Sequence, residues 1–180
     1  MSTRDNLLDA FEELLIDDGE RSATLEAVAA RAQVSKGGLL YHFKSKDALV
    51  EGLLERLVEH AQIDAEQMRT DPRGPSAYYV DTSVYAGSAL DRSLMATARL
   101  IQETPRVRET MQDIHQRWFS IILQEVGERG AARAVMLIGD GLYYNAVLSG
   151  GTSAEDVAGT DPDDRAELLS VVARLTGRQG

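Results

Sequence analysis

The sequence predicts an all-α protein of about nine helices, divided between an N-terminal helix-turn-helix unit and a longer C-terminal helical domain. Three observations carry that expectation. Apolar residues recur at helical spacing in nearly every segment, no run alternates apolar and polar residues as a strand would, and each break holds glycine, proline or a short polar capping residue.

The first helix runs from Thr3 to about Asp17, with Leu7, Leu8, Phe11, Leu14 and Leu15 on one stripe, and Asp18-Gly19 stops it. Thr24 caps a second helix reaching Ala32, whose inner face holds Leu25, Val28, Ala29 and Ala32. After a break at Gln33-Val34, Ser35 caps a third helix to about Phe43. Ser45 caps a longer fourth, from Lys46 to about Met68, carrying Leu49, Leu53, Leu54, Leu57 and Val58 inside. Asp71-Pro72-Arg73-Gly74-Pro75 then breaks the chain.

Beyond the break the pattern stays helical. Pro75 to about Ala86 forms one segment, and Ser88 to about Gln102 another, with Ser88 and Asp91 as a capping pair. Thr104-Pro105 opens a helix whose stripe is Val107, Met111, Ile114, Trp118, Ile121, Ile122 and Val126. Gly127 to Gly130 separates it from a helix over Ala131–Leu148. A polar, acidic loop follows from Ser149, and Asp161-Pro162-Asp163-Asp164 starts a last helix ending near Gly177.

Composition narrows the function. The chain has 180 residues, 43% hydrophobic and 27% charged, the balance of a protein with a real core. With no cysteine, disulfides, thiolate metal sites and thiol catalysis are excluded. Met1-Ser2-Thr3-Arg4 runs straight into an acidic amphipathic segment, and no apolar run reaches spanning length, so the expectation is a cytoplasmic protein without membrane contact.

The net charge of −10 argues against nucleic acid until its distribution is considered. From Ala27 to Lys46 there is no acidic residue, while Arg31, Lys36, Lys44 and Lys46 fall there, and these are the only three lysines of the chain. A local basic patch on an acidic body lets one face meet phosphate while the remainder is repelled.

Two short helices with a tight turn between Ala32 and Ser35 are the minimal helix-turn-helix. Its second helix enters the major groove, so it should be short, free of acids and able to come close to the duplex. The run Ser35-Lys36-Gly37-Gly38-Leu39-Leu40-Tyr41-His42-Phe43 fits. Gly37 and Gly38 each lower helix propensity by about 1 kcal/mol relative to alanine, which close approach to the groove wall would offset. Lys36 at the entry, with Tyr41, His42 and Lys46 at the exit, are placed to clamp phosphates. The amides behind Ser45 add an anion site. Taken singly, Tyr41 reads rather as a half-buried packing residue, His42 as a solvated histidine, and Lys44 and Lys46 as solubilising charges; their order together favours DNA.

The stretch Thr24 to Leu49 resembles the TetR family of transcriptional repressors. The specific part is Tyr41-x-Phe43-x-x-Lys46-x-x-Leu49 following Val34-Ser35. The resemblance covers Arg4 to Leu57 firmly and the rest loosely. It implies that Thr24 caps the second helix and touches phosphate. Ser35, Lys36, Gly37 and Gly38 would meet base edges and nearby phosphates, and Tyr41, His42 and Lys46 would contact phosphate. Leu39, Phe43 and Leu49 would lie in the core. Gln33 departs from the glycine common in the family's turn, and a left-handed conformation there would cost about 1 kcal/mol.

The resemblance also implies a homodimer on double-stranded operator DNA, with residues 1–46 as the reader, helix 46–68 as connector, and 47–180 as the ligand-binding and dimerisation domain. Ala131–Leu148 and Pro162–Thr176 would pair across the twofold axis. Gly139 and Gly141 would allow close helix approach there, or else serve as packing notches on a buried intrachain helix. A pocket for an unidentified small-molecule effector should draw on Tyr78, Tyr79, Met95, Arg99, His115, Trp118 and Tyr143. The stripe of Ile114, Trp118 and Ile121 reads rather as ordinary core, and His115 as a surface or hydrogen-bonded histidine.

The function expected is therefore a sequence-specific DNA-binding transcriptional regulator, a repressor released by its effector, with no catalytic residue, metal or cofactor. An activator or DNA-architectural protein would use the same reader. A small helical enzyme has little support: the histidines are His42, His60 and His115, catalytic motif spacings are absent, and Glu103, Asp113 and Asp140 show no partner in the sequence.

Overall fold

The structure is a computed structural model that describes residues 2–102, 104–148 and 162–177. Among these, nine helices account for all the regular structure: α1 (Thr3–Asp18), α2 (Leu25–Arg31), α3 (Lys36–His42), α4 (Lys46–Thr70), α5 (Pro75–Thr82), α6 (Ala89–Ala98), α7 (Pro105–Val126), α8 (Arg129–Leu148) and α9 (Pro162–Leu175). The expected loop from Ser149 to Asp161 and the carboxylate of Glu103 lie outside the described residues.

Local chemistry sets most boundaries. Ser2 and Asp5 form a reciprocal capping box on α1, and Gly19 ends that helix with φ of 79°. Two helices stop earlier than their sequence pattern. At the end of α5 the Ser83 hydroxyl donates to the Tyr79 carbonyl at 2.6 Å, and that of Thr82 donates to the Tyr78 carbonyl at 2.9 Å. After Ala98 the backbone tightens to bonds over three residues, Arg99 to Ala96 and Leu100 to Thr97, so α6 closes before Gln102. In contrast α8 starts early, because the Glu128 carboxylate accepts from the Gly130 and Ala131 amides at 2.9 and 3.0 Å.

The helices form two compact units, Met1–Ala61 with Ala89–Gln112, and Gln62–Ser88 with Asp113–Gly180. The first is built on Leu7, Leu8, Phe11, Leu15, Val28, Leu39, Leu49 and Leu53, all fully buried. Burial of a leucine of this kind contributes about 2 kcal/mol. Although α6 follows the chain break, it packs on α1, where Ala96 and Leu100 extend the same core. In the second unit α5 packs on α8 and α9. Its interior holds Val80, Phe119, Ile122, Val135 and Met136. Arg165 of α9 ties to Asp81 of α5 through Nε at 2.8 Å, and Arg133 stacks 4.4 Å from the Phe119 ring centre.

Candidate nucleic-acid interface and ligand site

Helices α2 and α3 are each started by a side-chain cap. The Thr24 hydroxyl accepts from the Ala27 amide at 3.2 Å and the Ser35 hydroxyl from the Gly38 amide at 3.1 Å. A hydroxyl used as an acceptor keeps its own proton to donate, so both exposed caps can still serve a phosphate. The turn between them holds Gln33 at φ 57°, the one non-glycine residue in the left-handed region among those described. The Val34 amide donates to the Ala29 carbonyl at 2.9 Å across this turn, fixing it despite the conformational cost of about 1 kcal/mol.

Helix α3 buries Leu39 and leaves its other side open. Lys36, Gly37, Leu40 and Tyr41 are exposed, Tyr41 to 83%, and the Tyr41 ring meets His42 edge-on with centres 5.1 Å apart. The paired glycines have separate roles. A Cβ on Gly38 would lie 2.8 Å from Val34 Cγ1 and 3.3 Å from the Ser35 hydroxyl, so Gly38 makes room for the turn and the cap. Nothing lies near Gly37, which presents bare backbone to the outside.

The acid-free window of the sequence is not an acid-free surface. Lys36 Nζ pairs with Glu26 at 2.6 Å, holding that carboxyl below its usual range chiefly through this hydrogen bond. Lys46 Nζ meets the Glu20 carboxylate at 2.5 Å and the Glu20 carbonyl at 2.8 Å. Arg31 turns to Glu13, Asp17 and Asp18 of α1 at 3.2 to 3.6 Å. Lys44, just after α3, and Arg21, before α2, are exposed with no ion pair among the described residues. Neither stood among the nominated contacts. Lys44 was visible only as part of the basic window.

Behind the reader lies a buried polar chain that sequence reasoning missed. Ser93 Oγ of α6 donates to Glu12 of α1 at 2.7 Å and sits 3.1 Å from His60 Nδ1 of α4. Arg56 lies 3.5 Å from the same Glu12 carboxylate and 2.6 Å from Asp9. Burial raises the Glu12 carboxyl above its ordinary range, opposed by the Ser93 hydrogen bond and Arg56. The signal was present: Glu12 stands four residues after Leu8 and three before Leu15, on the buried stripe.

In the second unit Tyr79, His115 and Trp118 converge around Asp140. Tyr79 Oη donates to Asp140 Oδ1 at 2.7 Å, and His115 Nε2 lies 3.5 Å from the same oxygen. The Trp118 ring is centred 5.9 Å from Tyr79 and 5.7 Å from His115. Tyr78 points to Asp64 and Gln67 instead, with Oη 3.0 and 2.9 Å from their oxygens. Tyr143 is half-buried on α8. Met95 and Arg99 belong to the first unit, where Arg99 reaches the Ile16 carbonyl at 3.5 Å. Asp140 is the central group here, and sequence marked it only as a carboxylate lacking a partner.

The two glycines of α8 also divide. A Cβ on Gly139 would fall 2.5 Å from Tyr79 Cε1 and 2.7 Å from the Ser83 hydroxyl, so this residue is a notch for α5 within the chain. Gly141 faces open space, and on the same helix Leu137 and Tyr144 are 62% and 63% exposed.

The chain is 39% identical over 54 residues to the uncharacterized HTH-type transcriptional regulator YvkB of Bacillus subtilis, and 34% identical over 59 residues to the HTH-type transcriptional regulator UidR of Escherichia coli K12. The matches span 30% and 33% of this chain, and 29% and 30% of those relatives. Among solved structures it is similar to EbrR, a multidrug binding protein complexed with malachite green (TM-score 0.67, 17% identity, 96% of this chain and 97% of that one). It is similar also to NalD, the secondary repressor of the MexAB-OprM multidrug efflux pump in Pseudomonas aeruginosa (TM-score 0.65, 22% identity, 96% and 94%). At such identities the likeness establishes the fold. Residues 7–53 match the bacterial regulatory proteins of the tetR family, and residues 73–177 match the tetracyclin repressor-like C-terminal domain. With matches in both its N-terminal and C-terminal segments, the chain belongs to the TetR family.

Proposed function

We propose that this protein is a transcriptional repressor that binds double-stranded operator DNA as a homodimer and is released by a small-molecule effector. The observation that carries the reading is the open side of α3, with two capped short helices in front of a solid core and Tyr41, Gly37 and Lys36 facing outward. A helix so placed fits the major groove, and a twofold dimer doubles the contact by presenting two such helices one turn of DNA apart. Thr24, Ser35, Tyr41, His42, Lys44 and Arg21 supply the phosphate contacts, and Lys36 and Lys46 join them by exchanging carboxylates for phosphate. The exposed face of α8 around Leu137, Gly141 and Tyr144, continued by α9, supplies the dimer contact.

Release follows from the connecting helix. α4 gives Lys46 to the reader and Asp64 to the second unit, so a ligand that prefers one packing of that unit biases the spacing of the two recognition helices. No helix among the described residues is long and apolar enough to cross a membrane. Electrophoretic mobility shifts on genomic fragments test the reader: Tyr41→Ala and Lys44→Ala should weaken binding to all sequences alike, by about tenfold each. Undiminished binding by both would remove the proposed interface. A promoter-reporter measurement with and without the gene tests repression, which requires higher expression in its absence.

A further inference from the structure

The cluster around Asp140 has an uneven chemistry. Two large aromatic rings and a carboxylate meet there, and the one basic side chain among them, His115, is cationic only when protonated. Tyr79 and Trp118 are 7% and 5% exposed, whereas the side chains of Asp140 and His115 keep 34% and 43% of their surface. The cluster is thus closed at its aromatic end and open at its carboxylate end. A second acid acts on it: burial first, then Asp140, then more weakly Asp64, push the Tyr79 hydroxyl well above the ordinary tyrosine range, with no cation among the opposing influences. Four arginines of this unit are engaged elsewhere, Arg73 and Arg165 with Asp81, Arg129 and Arg133 on Phe119. Finally, Trp118 Nε1 is buried with no acceptor among the described residues. A donor left in that condition costs as much as a lost hydrogen bond.

We infer that the ligand of this cluster is a compact organic cation carrying a hydrogen-bond acceptor. This rests on the effector-released reading above and specifies the chemistry of the effector. Asp140 balances the positive charge, the rings of Tyr79 and Trp118 attract it, and the acceptor takes the Trp118 N–H. An anion would meet Asp140 and Asp64, and a neutral apolar molecule would leave both the carboxylate and the indole N–H unused. Because Asp140 already accepts from Tyr79, the cation competes with that hydroxyl and loosens the tie between α5 and α8.

Trp118 is the one tryptophan in the chain, so its emission reports the site directly. The probes are methoxyethyl-trimethylammonium, its neutral isostere with carbon in place of the quaternary nitrogen, and tetramethylammonium, which lacks the acceptor. The expected result is saturable binding of the first, with both others weaker by about tenfold or more. Asp140→Asn, which keeps an oxygen for Tyr79, should weaken the cation by about tenfold and leave the neutral isostere unchanged. Tyr79→Phe should tighten the cation by freeing the carboxylate. A purely structural role for the pair would not give opposite signs. Equal binding of the neutral isostere, indifference to Asp140→Asn, or no saturable binding of the cation would overturn the inference. DNA binding by the ligand-free protein is measured in parallel. Its absence would sink the repressor reading itself. Displacement of DNA by a neutral or anionic compound but not by the ammonium would keep that reading and reject the cation.

Discussion

The two units of this protein are held by different means. In the first, an aliphatic core of fully buried leucines supports short, capped helices, and the charged groups proposed to meet DNA sit outside it. In the second, polar groups are woven into the packing: Tyr79 to Asp140, Ser76 to Glu125, Arg165 to Asp81. A core of the first kind makes a rigid platform, because apolar packing has one good arrangement. Hydrogen-bonded pairs of the second kind can exchange partners with a ligand, because a ligand group can replace a bond to a carboxylate, worth about 1.5–3 kcal/mol net, with one of the same kind. On the proposed reading, DNA recognition draws on the platform and ligand sensing on the exchange.

The comparison is broken most directly at Leu39. Leu39→Ala should cost about 2–5 kcal/mol and remove DNA binding, because this side chain seats α3 on the core. Chemical denaturation and mobility shifts measure both effects. Gly139→Ala attacks the second unit instead. With Tyr79 Cε1 2.5 Å from the new Cβ, it should cost about 1–3 kcal/mol and alter ligand response, while the surviving folded protein still binds DNA. Loss of DNA affinity at full folding would show that the two units do not divide the work in this way.

Glu12 sharpens the contrast, because it is a polar exception inside the apolar unit. Its folded carboxyl is raised by burial, so the folded state takes up a proton more readily than the unfolded chain. The stability linked to that proton is fully present below the ordinary carboxylate value and is lost as pH rises through the elevated one. Glu12→Gln cannot titrate. Its stability relative to the unaltered protein should be flat at low pH and then climb through that window, as followed by melting temperatures at stepped pH. The smallest effect concerns the surface. Glu26→Gln frees Lys36, and should strengthen DNA binding a few-fold with a steeper salt dependence, since one more phosphate is neutralised.

Local features were the legible ones. The caps at Thr24 and Ser35, the proline-led helices and the left-handed strain at Gln33 are written in residues a few positions apart, and the structure places each where the spacing indicates. What sequence did not reveal depends on residues far apart in the chain. Ser93 meets Glu12 across 81 positions, and Tyr79 meets Asp140 across 61. The pairing of Lys36 with Glu26 and Lys46 with Glu20 belongs to the same class, because a window free of acids says nothing about acids folded against it. Two glycines of one motif likewise read alike in sequence and differ in space, Gly139 under Tyr79 and Gly141 in the open.

The scarcity of lysine gives the reading head a chemical identity of its own. Every ε-amine of the chain lies at positions 36, 44 or 46, with Lys36 and Lys44 exposed and Lys46 partly so. An amine-directed reagent, or an enzyme that acylates lysine, therefore has no side-chain target anywhere else on this protein. On the proposed reading, whatever neutralises those three amines weakens the grip on nucleic acid and leaves the second unit's side chains chemically untouched.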